Sequence, residues 1–127
     1  MATLLIARHN VHSFKEWKAG SGQSAIDKCR ELGAVKGVWV PDKLNNLPAV
    51  RSFLKVPAEK RTAFMASYVA PAGPPVQLEE YVIDQEVGLG GENKLTGCAM
   101  MMCRLTLACP YEDFKVDPLS LSLSLPL

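Results

Sequence analysis

The run Thr3-Leu4-Leu5-Ile6-Ala7-Arg8-His9-Asn10-Val11-His12-Ser13-Phe14-Lys15-Glu16-Trp17-Lys18 decides the fold class, because a strand pattern in it passes directly into a helix start. Over residues 3–11 the side chains of an extended chain alternate, so Leu4 and Ile6 point to one face and Leu5 and Ala7 to the other. Apolar residues on both faces predict an inner strand covered on both sides. From Arg8 the run turns polar, and Arg8, His9, Asn10 and His12 gather near its end. Ser13-Phe14-Lys15-Glu16 fits a capping box, in which the Ser13 oxygen takes one free amide and Glu16 reaches back to another. Phe14, Trp17, Ser21, Ala25, Cys29 and Leu32 recur near helical spacing and would face a core. Gly20-Ser21-Gly22 weakens that helix by about 1 kcal/mol per glycine relative to alanine and predicts a kink or break. Gly33 is placed to end it in a left-handed cap.

Working outward, residues 35–40 (Val-Lys-Gly-Val-Trp-Val) predict a second strand, which Pro41 ends or confines to a sheet edge. Residues 41–46 read as a loop by composition. Pro48 suits a first helical position, with Ala49, Val50, Phe53 and Leu54 as a short apolar face. Pro57 breaks that helix and starts the next, over 58–68, with Ala63, Phe64 and Tyr68 turned inward. Pro71-Ala72-Gly73-Pro74-Pro75 is a rigid connector, and residues 76–82 predict a further strand. Gly88, Gly90 and Gly91 mark 87–94 as a flexible turn. Residues 95–109 are apolar and read as one strand, or as two with a bend. The tail over 119–127 alternates Leu and Ser, a strand period in low-complexity composition, and is expected to be poorly ordered or weakly paired.

Composition narrows the function classes. The chain has 127 residues, 48% hydrophobic and 21% charged, with a net charge of +1. That suits one small domain with a modest core rather than a disordered chain. No basic block argues for nucleic acid and no acidic run for a solvating tail. The N-terminal apolar run is too short for a secretion signal, and no stretch reaches the roughly 18 apolar residues of a membrane span. A cytoplasmic protein with no membrane partner is expected. Cys29, Cys98, Cys103 and Cys109 match neither a zinc spacing nor a CxxC motif, so reduced, mostly buried thiols are expected.

Strand, helix, strand, helix pair and strand in that order predict an α+β domain, a ferredoxin-like βαββαβ sheet with helices on one face and one strand missing. Two segments carry a family resemblance. Leu5-Ile6-Ala7-Arg8-His9-Asn10-Val11-His12-Ser13-Phe14-Lys15-Glu16-Trp17-Lys18 is similar to the opening of antibiotic-biosynthesis-monooxygenase-like domains, where a strand ending in a basic or His residue meets an aromatic-x-x-Trp-Lys helix start. Val50-Arg51-Ser52-Phe53-Leu54, Pro57-Ala58-Glu59-Lys60 and Ala72-Gly73-Pro74-Pro75-Val76-Gln77-Leu78-Glu79-Glu80 are similar to that family's short helix, Pro-started second helix, Gly-Pro-Pro connector and last strand ending in paired acids. The resemblance covers roughly residues 3–86 and implies a dimeric α/β barrel, a homodimer joined sheet to sheet. It divides the chain into a domain over 1–87 and an extension over 88–127. The family carries a full strand where this chain offers only residues 41–46, and an empty central slot would leave backbone groups unpaired. Either the first two strands pair directly, or residues 97–108 fill the gap. The extension also faintly repeats the opening: Leu105-Thr106-Leu107-Ala108 followed by Tyr111-Glu112-Asp113-Phe114-Lys115 parallels Leu4-Leu5-Ile6-Ala7 followed by Phe14-Lys15-Glu16-Trp17-Lys18, as a truncated second copy would.

The resemblance implies a cofactor-independent monooxygenase acting on an aromatic or quinol-like molecule, with no metal. His9 and His12 are the candidate bases for a phenolic proton; the plainer reading is an exposed strand-end histidine bonded locally. Asn10 would polarise a carbonyl or hold a turn. Arg8 would hold an anionic substrate group or pair with Glu16. Trp17, Trp39 and Tyr68 would line an aromatic pocket or simply pack the core. Glu79-Glu80 would close its strand and be solvated, and Met100-Met101-Met102 would fill core or interface. The alternatives to an enzyme are a non-catalytic dimeric binding or stress-response module, and an inactive truncated family member.

Overall fold

The computed structural model describes residues 1–68, 77–88, 97 and 99–115. The chain divides into two units, Met1–Asp84 and Gln85–Leu127, each described by itself. In the first, the opening run forms β1 (Ala2–Asn10) and then α1 (Phe14–Ala19). Ser13 is the N-cap, its Oγ accepting from the Glu16 amide at 3.1 Å. The helix breaks at Gly20 and resumes as α2 (Ser21–Glu31), as the glycine pair predicts. Gly22 is required there, because a Cβ would lie 2.8 Å from the Trp17 carbonyl oxygen. Gly33, at φ +108°, turns the chain out of α2.

The strand expected to be missing is present. β2 (Lys36–Leu44) and β3 (Leu47–Pro57) form a hairpin, so 41–46 is not a loop and 48–54 is not a helix. The turn is Asn45-Asn46, with φ of 55° and 63°. Two left-handed residues in a two-residue loop are the type I′ turn, whose twist matches that of paired strands, and asparagine tolerates that conformation. Beyond it the chain keeps a period of two: Val50, Ser52, Leu54 and Val56 against Arg51, Phe53 and Lys55. Pro48 imitates a helix start but sits near the beginning of β3, and its carbonyl accepts from the Val11 amide at 3.0 Å. Pro41 lies in β2, an edge strand, where a missing amide is tolerated.

Pro57 leads into a single 3₁₀ turn, Ala58–Lys60, and α3 (Arg61–Tyr68), and β4 (Gln77–Val82) completes the sheet. The strand order is β2-β3-β1-β4, with every neighbouring pair antiparallel. This is a small ferredoxin-like α+β domain, and β1 is an inner strand as its two apolar faces predict. Register sorts the side chains. Leu5 pairs with Leu54 and Thr3 with Val56, on the face that meets the helices. Leu5, Leu54 and Val56 pack there with Cys29 of α2 and Phe64 of α3, all nearly or fully buried. Leu32, Ala34, Trp39 and Met65 pack around them. Each large side chain removed from water contributes about 1.5–3 kcal/mol. The other face carries Leu4, Ile6, Val38 and Phe53 beside Arg8, Arg51, Asp42 and Lys55, so it is apolar only in part.

Glu79 and Glu80 lie within β4 rather than at its end; both are exposed, as expected, and each also has a side-chain partner. Glu80 faces the helices and holds Arg61 at the start of α3 by two hydrogen bonds, one of 2.6 Å. Glu79 accepts from the Tyr81 hydroxyl.

Among its described residues the second unit contains no strand. Its described residues over 97–108 contain none, so that segment does not fill a gap, and the gap itself is filled by β3. Of the suggested repeat, the strand half is absent and the helix half is one turn, α4 (Tyr111–Phe114). Met100, Met101 and Met102 are 48%, 85% and 51% exposed rather than buried. Cys29, Cys103 and Cys109 take part in no disulfide, and of these three only Cys29 is buried, where mostly buried thiols were expected. The connector 71–75, the turn over 89–94, Cys98 and the tail over 119–127 lie outside the described residues.

The turn makes a direct prediction. Asn45→Val places a β-branched residue at positive φ and should lower stability by about 1–2 kcal/mol, whereas Asn45→Gly should leave it equal or higher. Urea denaturation of the two variants reads the difference.

Candidate functional site

The polar residues that end β1 do not converge. Alternation turns His9 toward the helices, opposite Val50, while Arg8 and Asn10 turn to the other face, opposite Arg51 and Ala49. Arg8 does not pair with Glu16. It lies 3.5 Å from Asp42 Oδ2, donates to the Lys43 carbonyl at 3.2 Å, and donates to the Gln77 side chain. Arg51 Nε lies 2.9 Å from the same Asp42 oxygen. One carboxylate thus sits between two guanidiniums contributed by neighbouring strands. Asn10 Nδ2 donates to the carbonyls of Leu44 at 3.1 Å and Pro48 at 3.0 Å, on either side of the Asn45-Asn46 turn. Its amide is committed to the backbone.

His12 is 87% exposed at its side chain and pairs with Glu16 one helical turn on. The reciprocal half of the expected capping box is therefore replaced: Glu16 reaches His12 instead of the cap amide. His9 is partly buried, and burial pushes its pKa below the usual 6.5 because the charged ring loses hydration. Trp17 stacks on Phe14 at 5.6 Å between ring centroids. The Tyr68 side chain lies outside the described residues.

Among the predicted site residues whose side chains are described, only Trp39 lines the cavity that lies between α2 and β2. That cavity measures about 230 Å³ and is walled by Ile26, Cys29, Arg30, Gly37, Trp39 and Leu54, among others. Gly37 lets the indole lie along β2, since a Cβ there would sit 2.4 Å from Trp39 Cη2. His9 is not among the residues that wall it. The sequence reading missed Gly37 and Arg30; the alternation of Gly37 with Trp39 was the available signal for the first.

Among the described residues, no group of three or more His, Cys, Asp or Glu side chains could hold a metal ion. No described helix is long and apolar enough to cross a membrane. The chain matches no family model, no curated protein and no solved structure.

His9 makes stability depend on pH with a definite sign. Its folded pKa lies below the unfolded value, so the unfolded chain binds the proton more readily. The His9 contribution is intact above about pH 6.5 and is lost as pH falls through that value. Thermal melts between pH 7.5 and 5 should show an acid-side decline that is shallower in His9→Gln, and ring-proton titration should place His9 below 6.5. A His9 midpoint at or above 6.5 would contradict the burial argument.

Proposed function

We propose that this chain is a ferredoxin-like domain of the antibiotic-biosynthesis-monooxygenase type that binds a small aromatic or quinol-like molecule between α2 and β2, acting as a binding module. The observation that carries this reading is the cavity walled by Trp39, Ile26, Cys29 and Leu54. A concave site with an aromatic wall and a lining of mixed polar and apolar character suits a planar ligand that carries a polar group. An engineered apolar cavity of about 150 Å³ in another protein holds benzene, so about 230 Å³ suits one ring with a substituent.

A second reading, a cofactor-independent oxygenase, draws support from His9. Burial keeps its imidazole neutral at pH 7 and so able to take a phenolic proton. Against it stands the absence of His9 from the cavity wall. Two-fold association through the face bearing Leu4, Ile6, Val38 and Phe53 belongs to either reading.

Titrating the ¹⁵N-labelled chain with hydroquinone should shift the Trp39 indole N–H resonance, with Trp17→Phe assigning it among the two tryptophans. Oxygen uptake with the same quinol should be absent, and equally so in His9→Ala. Uptake abolished by His9→Ala would replace the binding reading with the enzymatic one. An unshifted Trp39 resonance would end the cavity reading.

A further inference from the structure

β4 belongs to the sheet through its backbone and hardly at all through its side chains. It pairs antiparallel with β1 from Thr3↔Val82 to Arg8↔Gln77, and the Ile83 amide extends the ladder to the Ala2 carbonyl at 2.9 Å. Yet Gln77, Leu78, Glu79, Glu80 and Val82 are exposed, and Tyr81 is half-buried. Register turns Leu78 and Val82 to the helix side, beside the buried Ala7 and Thr3. There they stay 37% and 65% exposed, so the helices leave them uncovered. The core of Leu5, Cys29, Leu54, Val56 and Phe64 contains no β4 side chain. Side chains of β4 reach other elements through Glu80, which accepts from Arg61 of α3 at 2.6 Å, and through Gln77, which accepts from Arg8 of β1. Links this exposed add little. A strand without buried apolar contacts opens at far lower free energy than the core strands do.

The edge that β4 covers is of the opposite kind. Leu5, Ile6 and Ala7 of β1 are nearly or fully buried, and β3 pairs only one edge of that strand. With β4 away, the other row of β1 amides and carbonyls lacks partners, and such an edge is a template for an incoming strand. The strand that fits it is residues 77–82, in the register already observed. A second copy carries the same strand. Residues 69–76 join α3 to β4 and can span about 25 Å when extended, so β4 of one copy can reach β1 of another. We infer that β4 is an exchangeable strand, and that the edge of β1 is an interaction surface for β4 of a second copy. Each copy then makes with its partner the bonds it otherwise makes with itself. This inference stands apart from the cavity reading.

The test follows backbone amide exchange by NMR in the ¹⁵N-labelled full chain. Amides of β4, together with the alternate β1 amides turned to it, should exchange about tenfold faster than the amides of β3. Glu80→Gln removes the charged link to Arg61 at an exposed position, so the fold survives. It should speed β4 exchange about threefold and leave β3 unchanged. Concentrated to the millimolar range below its melting temperature, the protein should form a dimer, and more of it in Glu80→Gln. In a dimer grown from a mixture of labelled and unlabelled chains, isotope-filtered NOEs should run between β1 of one chain and β4 of the other. Exchange of β4 at the same rate as β3 overturns the independence of the strand. A chain that stays monomeric, or a dimer whose β1–β4 NOEs all lie within one chain, overturns the transfer of β4 between copies.

Discussion

Pairing of β1 on both of its edges is the constraint on which the rest of the domain depends. Leu5, Ile6 and Ala7 are nearly or fully buried, so the amides and carbonyls between them cannot turn to water and must find partners in neighbouring strands. β3 supplies one row and β4 the other. The nine-residue pairing with β3 also sets which side chains of β3, and through it of β2, look toward the helices. Shifting that register by one residue would move Leu54 and Val56 out of the core and put Phe53 and Lys55 in their place. The hairpin turn at Asn45-Asn46 and the Asn10 clamp on its two flanking carbonyls hold the register at its far end.

The same alternation that builds the core disperses the polar end of β1. Arg8, His9 and Asn10 are adjacent along the chain yet serve two faces of the sheet. Arg8 and Arg51 share Asp42, which links β1, β3 and β2 across the sheet. Asn10 binds backbone, and His12 completes an exposed helix start with Glu16. Each of these side chains has a structural task. His9 faces the helices and is not among the residues that wall the cavity.

What the helix-facing side offers instead is a groove assembled from three elements. α2 contributes Ile26, Cys29 and Arg30; β2 contributes Gly37 and Trp39; β3 contributes Leu54. The small residue at 37 sets how the indole lies, and Ser52, one strand in from Trp39, places a hydroxyl beside it. A concave shape and an aromatic wall therefore meet at one place, and the functional reading follows from that meeting.

From its sequence alone the chain determined what depends on neighbours along the backbone. The two-sided apolar run of β1, the Ser13 cap, the break at Gly20, the Gly33 exit and the edge position of Pro41 are all local chemistry, and all were legible. The β2–β3 hairpin was not read, because Pro48 imitates a helix start and Asn-Asn is a less familiar type I′ pair than Asn-Gly. A period of two from Val50 to Val56 was there to arbitrate. Only the tertiary structure decided that His9 and Arg8 would part, that Glu80 would reach Arg61, and that Trp39 would stand beside Ser52. The physical reason is the same in each case: these relations are set by strand register and by which face a helix covers, and both come from packing residues distant along the chain.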